Sequence, residues 1–99
     1  MSTPFPITIG IVEDSAPFRN ELEAFINSTT DLRCVCTCAT GAAALEEIPR
    51  KAPQVILMDL QLPDCTGIEC TFQLKSMLPL TQFMIFTVQE DSEQIFKAL

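Results

Sequence analysis

Apolar positions come in two rhythms along this chain. Ile7 to Val12, Leu32 to Cys38, Gln54 to Met58 and Gln82 to Phe86 are short runs of strand length, rich in apolar and β-branched residues. Runs of this kind predict strands covered on both faces. Between them the apolar residues recur at helical spacing. Phe18, Leu22, Phe25 and Ile26 stand at i, i+4, i+7 and i+8, which makes one face of a helix with Arg19, Glu21 and Glu23 pointing elsewhere. That helix starts near Ser15-Ala16-Pro17, because proline is tolerated in a first turn. Asn27 to Asp31 is turn-like. Gly41 and the alanine-rich stretch to Ile48 predict a second helix, stopped near Pro49 and Pro53. Thr66-Gly67-Ile68-Glu69 fits the S/T-x-x-E capping box, so a third helix starts there and runs to about Met77, ahead of Pro79. Glu90-Asp91-Ser92 puts acids at the start of a fourth helix, with Ile95, Phe96 and Leu99 as its apolar face. The alternation β-α-β-α-β-α-β-α with short connections predicts an α/β fold: a three-layer, doubly wound parallel sheet in one domain over 1–99.

In open parallel sheets, ligands bind at the carboxyl ends of the strands, near the switch in strand order. Here strand one ends in Glu13-Asp14, strand three in Asp59 and strand four in Thr87, while strand two ends uncharged in Cys38-Ala39-Thr40. If strands one, three and four are neighbours, three carboxylates and a hydroxyl meet on one rim. Carboxylates packed together raise each other's pKa unless a cation intervenes. A hard divalent ion such as Mg²⁺ fits that need. A carboxylate beside such an ion can act as a nucleophile toward phosphorus. Any one of these acids is more simply a turn former or a helix cap, Asp14 included. Their joint placement at three strand ends outweighs that reading.

Composition narrows the functions. Thirteen acids against six bases give a net charge of −7, which disfavours direct nucleic-acid binding by this segment. The absence of histidine excludes His-dependent chemistry within the chain. No apolar run approaches the roughly 18 residues that span a membrane. The N-terminal MSTPFPITIG has neither a basic leader nor a long apolar segment. With an odd number of cysteines, five, reduced thiols in a cytoplasmic protein are expected. Cys34, Cys36 and Cys38 alternate, which puts three thiols on one face of a strand. Structural zinc sites need four ligands, usually with C-x₂-C spacing, so these read as small packing residues. Cys65 lies in the loop after Asp59 with no basic neighbour in sequence to activate it. The three glycines are too scattered for a phosphate-binding loop.

The segments IVEDS, ILMDLQLPDCTGIE and FTVQED resemble the receiver domain of two-component response regulators. VEDSAPFRNELEAFI, LPDCTGIE and FTVQEDSEQIFKAL look most like the regulators whose receivers precede a helix-turn-helix DNA-binding domain. The resemblance implies a flavodoxin-like sheet of order 2-1-3-4-5. It implies that Asp59 is the phospho-acceptor, served by a histidine kinase as phosphodonor. Glu13, Asp14 and Asp59, with the backbone carbonyl of Gln61, would hold Mg²⁺. Thr87 would be the switch hydroxyl, and Pro63 and Gly67 would shape the loop after Asp59. Transcription regulation would follow through a DNA-binding domain outside this chain.

Two features depart from the family pattern. Receivers carry a lysine at the end of a fifth strand, and that strand and the fifth helix have no counterpart here; Lys51, Lys75 and Lys97 are expected away from the rim. The residue after the switch threonine, often Ala or Gly, is Val88. The domain is therefore expected to be incomplete at its C-terminal side. Strand four becomes an edge along Phe83 to Phe86, and part of helix one is left uncovered. Marginal stability follows, or a homodimer through the strand-four/helix-four side. Two other readings compete. An inert pseudo-receiver accounts for the missing lysine but not for Glu13, Asp14, Asp59 and Thr87 together. An aspartate-nucleophile phosphatase needs an acid two residues after its nucleophile, where this chain has Gln61. The expectation is a phospho-accepting switch that at most phosphorylates and dephosphorylates itself.

Overall fold

In a computed structural model of the chain, residues 5–87 are described. The fourth helix expected over residues 90–99, Lys97 and Val88 lie outside them. The elements run β1 (Ile7–Val12), α1 (Ala16–Asn27), β2 (Leu32–Cys38), α2 (Gly41–Lys51), β3 (Val55–Asp59), α3 (Gly67–Met77) and β4 (Gln82–Phe86). All pairings are parallel and the order is β2-β1-β3-β4. The chain steps one way from β1 to β2 and then the other way to β3 and β4. Crossovers of constant hand put helices on opposite faces when that direction reverses. The two cores show this layering. Ile26 of α1 packs with Ile9 and Ile11 on one face. Ala44 and Ile48 of α2 and Cys70 and Leu74 of α3 pack with Val12, Ile56 and Met58 on the other.

Three expectations are corrected. The second helix passes through Pro49 and ends two residues later, at Lys51. Proline's fixed φ is helical, so its cost is one missing N–H donor and crowding of the preceding turn. The last turn still closes, with the Ala52 N–H donating to the Ile48 carbonyl at 2.8 Å. Ala52 caps the helix in the left-handed region at φ 45°. The three thiols of β2 do not share a face. Ile9 pairs with Cys34 but Gly10 pairs with Cys36, so Val35 is an extra residue. Such a bulge shifts the alternation by one. Cys34 therefore packs on the α1 side, and Cys36 and Cys38 on the α2/α3 side. The α1 stripe is also narrower than its spacing implied. Ile26 is buried, Leu22 and Phe18 are half-buried, and Phe25 is 73% exposed. Phe25 sits roughly 100° around the helix from Ile26, at the edge of the stripe. Phe18 lies on the same edge but meets the ring of Phe86, with centroids 6.0 Å apart.

Candidate metal and phosphoryl site

Register brings the site together. Val12 pairs with Met58, so Glu13 and Asp59 leave adjacent strands side by side. Asp59 pairs with Phe86, which puts Thr87 at the same rim, exposed. The boundary between β1 and β3 is the place where the strand order reverses, the usual ligand position in such sheets. Carboxylate oxygens of Glu13, Asp14 and Asp59 all lie within 4.8 Å of one another. Asp14 is exposed, whereas Glu13 and Asp59 are 1% and 5% exposed.

The electrostatics of this cluster are strained. Burial first, and then the Asp59 and Asp14 carboxyls crowded beside it, push the Glu13 carboxyl up to about 8. Its Oε2 accepts weakly from the Ser15 N–H at 3.3 Å, while Oε1 is buried without any hydrogen-bond partner. A buried orphan oxygen facing two more carboxylates is the environment that a hard cation relieves. The donor set is all oxygen, which suits Mg²⁺ and not a thiophilic metal. The residues present therefore fit the ion that the acidic rim led us to expect.

The loop after Asp59 is braced at several points. The Gln61 N–H donates to Asp59 Oδ1 at 3.2 Å. The Leu60 N–H donates to the Phe86 carbonyl and the Gly67 N–H to the Leu60 carbonyl, both at 2.6 Å. Gln61 and Thr66 form an antiparallel bridge across the loop, and the Leu62 N–H reaches the Cys65 carbonyl at 3.1 Å. Pro63 is exposed at the tip of that turn. Gly67 is required sterically, since an added Cβ would overlap the carbonyl of Asp59. The expected capping box is present: Thr66 Oγ1 accepts from the Glu69 N–H at 3.1 Å, and Glu69 Oε1 from the Thr66 N–H at 3.4 Å.

Two residues at this rim carried no clear sequence signal. Arg19, expected to point away, turns back so that its Nη1 donates to the Glu13 carbonyl at 2.7 Å and the Asp14 carbonyl at 3.4 Å. Only its position in the first turn of a helix that follows two acids hinted at this. Asp64, in the loop after Pro63, accepts from the Gly41 and Ala42 N–H groups, each at 2.9 Å. Both bonds favour the charged form and lower its pKa. Among the described residues the two lysines lie elsewhere: Lys51 ends α2, and Lys75 Nζ donates to the Thr81 carbonyl at 2.6 Å. Burial first, then the nearby Asp64 and Glu69 charges, hold the Cys65 thiol above its usual pKa, so it is not activated. No helix among the described residues is long and apolar enough to cross a membrane.

Comparison with known proteins agrees with this geometry. The sequence profile described as "Response regulator receiver domain" matches residues 9–99. The chain is 35% identical over 94 residues to a protein-glutamate methylesterase/protein-glutamine glutaminase of Methanococcus maripaludis, covering 94% of this chain and 26% of that protein. It is 30% identical over 93 residues to the uncharacterized transcriptional regulatory protein YxjL of Bacillus subtilis, covering 94% of this chain and 43% of that protein. The chain thus spans less than half the length of these curated relatives. The response regulator domain of Thermotoga maritima CheB superimposes with a TM-score of 0.79 at 28% identity, covering 92% of this chain and 69% of that one. A parallel sheet of order 2-1-3-4, an acidic rim at its switch point and a profile match over residues 9–99 establish that the chain belongs to the response regulator receiver domain family of two-component systems.

Proposed function

We propose that the chain is a Mg²⁺-dependent phospho-acceptor whose modified residue is Asp59. The observation that carries this reading is the meeting of Glu13, Asp14 and Asp59 at the sheet's switch point in a receiver-family chain. Glu13, Asp14 and Asp59 would hold the ion, with the carbonyl of Gln61 as a further ligand. Bound there, Mg²⁺ would neutralise the crowded acids and the incoming phosphoryl oxygens. An Asp59 carboxylate oxygen forms the new O–P bond. The P–N bond of the phosphohistidine on a histidine kinase breaks, and its electron pair leaves with the imidazole. Burial of Asp59 in the strand end limits its approach to one direction, the rim. The Thr87 hydroxyl, next to Phe86 in β4, donates to a phosphoryl oxygen and moves toward it. The new charge then shifts the population between two packings of the β4 side.

The output in this reading is transcription regulation by a DNA-binding domain of a longer protein, as the match to a transcriptional regulatory protein supports. The thiols, free and mostly of raised pKa, suit a reducing cytoplasm. Exposed Met84 and Ile85 on β4 support self-association through that side. Incubation with Mg²⁺ and a small phosphodonor tests the central claim by intact mass. One added phosphoryl group is expected, and none in Asp59→Asn. Failure of the whole natural protein to gain mass at any pH would sink the reading.

A further inference from the structure

Asp64 does something that a loop acid need not do. Its two carboxylate oxygens each take a separate backbone N–H, from Gly41 and Ala42, across a sequence gap of 22 to 23 residues. These are first-turn donors of α2, which have no partner within the helix. The third, from Ala43, is taken by the helix's own cap, Thr40 Oγ1, at 3.0 Å. The closeness is built in: a Cβ at Gly41 would overlap Cys65 Sγ and approach Asp64 Oδ1 to 3.3 Å. The loop is thus fastened at its root by Leu60 and Gly67 and at its tip by Asp64. Gln61 lies between the two fastenings, with its N–H on Asp59 Oδ1.

We propose that Asp64 is a positioning residue for the phosphoryl site, tying the Leu62–Cys65 turn to the first turn of α2 so that Gln61 stays at the rim. The inference rests on the reading above, in which the Gln61 carbonyl and Asp59 hold Mg²⁺. Asp64 touches neither ion nor phosphoryl group; it acts through the loop. Removal of partners behind a metal ligand typically costs about 10- to 100-fold in affinity. Thr40 supplies the control, because its side chain caps the same helix through the Ala43 N–H.

The experiment is Mg²⁺ titration by calorimetry on the wild type, Asp64→Ala, Asp64→Asn and Thr40→Ala, with amide hydrogen exchange on each. Asp64→Ala is expected to weaken Mg²⁺ binding about tenfold and to speed exchange at Gln61 as well as at Gly41 and Ala42. Asp64→Asn keeps one acceptor oxygen and should fall between, and it carries the test if Asp64→Ala does not fold. Thr40→Ala should destabilise α2 and leave both the Mg²⁺ affinity and Gln61 exchange as in the wild type. Unchanged Mg²⁺ affinity in both Asp64 variants, beside a binding wild type, overturns the positioning role alone. Equal weakening in Asp64→Ala and Thr40→Ala also overturns it, leaving Asp64 a mere cap. A wild type that binds no Mg²⁺ overturns the metal reading itself.

Discussion

Burial, aided by the neighbouring Asp59 and Asp14 carboxyls, raises the Glu13 carboxyl from an ordinary 4.5 to about 8. In the unfolded chain the same carboxyl loses its proton near pH 4.5. Between these values the folded state binds more protons at Glu13, so the contribution of this carboxyl to stability falls as pH rises. The contribution is fully present below about 4.5 and is lost by about 8. Thermal melts of the protein in EDTA should therefore drop from pH 5 to pH 8. Saturating Mg²⁺ should flatten that slope, because a cation replaces the proton as the partner of Glu13. A flat metal-free profile would contradict the buried position of Glu13. Gly67 is a second single-atom constraint. Gly67→Ala would drive a methyl group into the carbonyl of Asp59, and overpacking of this kind costs roughly 1–3 kcal/mol. Urea denaturation should show that loss, and phosphorylation of Asp59 should fall with it. Glu13 was legible in the sequence as an acid at a strand end, and Gly67 through the receiver resemblance, which gave it a part in shaping the loop. The protonation of Glu13 was not, because desolvation depends on the atoms packed around a group.

At the level of elements, the sequence rhythms place β1, β2, α3 and β4 at their observed bounds, since local capping and strand-length runs decide them. α2 shows where local reasoning gives way. Proline disfavours helix interiors, yet α2 runs through Pro49 because Ala44 and Ile48 bury one face of it against the sheet. The missing N–H at position 49 is still a local cost. Pro49→Ala should stabilise the protein by about 1 kcal/mol, the helix gain being partly offset by a freer unfolded chain. Chemical denaturation measures it; a destabilised variant would mean that the proline ring makes packing contacts worth more than the lost hydrogen bond. The β2 bulge is another element-level decision. Strict alternation put Cys34, Cys36 and Cys38 on one face, and the pairing with β1 inserts Val35 and separates them. No property of Val35 itself marks it as the extra residue.

At the scale of the molecule, two cores on either face of one sheet hold the rim in place. Ile48, Ile56, Met58 and Leu74 are fully buried in the larger one. Among the described residues β4 pairs only with β3, and its Met84 and Ile85 are 61% and 44% exposed. An apolar strand of this kind at a sheet edge is prone to associate. Sedimentation velocity is expected to show concentration-dependent dimers of this chain, and Met84→Lys should return it to monomer. A wild type that stays monomeric at all concentrations would leave the β4 side without a self-partner. By itself, the sequence determined the alternation of elements, the strand ends that carry Glu13, Asp14, Asp59 and Thr87, and the capping box of α3. These depend on residues near one another in the chain. Only the tertiary structure decided which thiols share a face, that Arg19 turns back to the acidic pair, and that Asp64 fastens the loop to α2. Pairing with β1 sorts the thiols, the turn between β1 and α1 brings Arg19 back, and Asp64 finds its backbone partners on an element more than twenty residues away; register and packing set these, not the pattern of residue types.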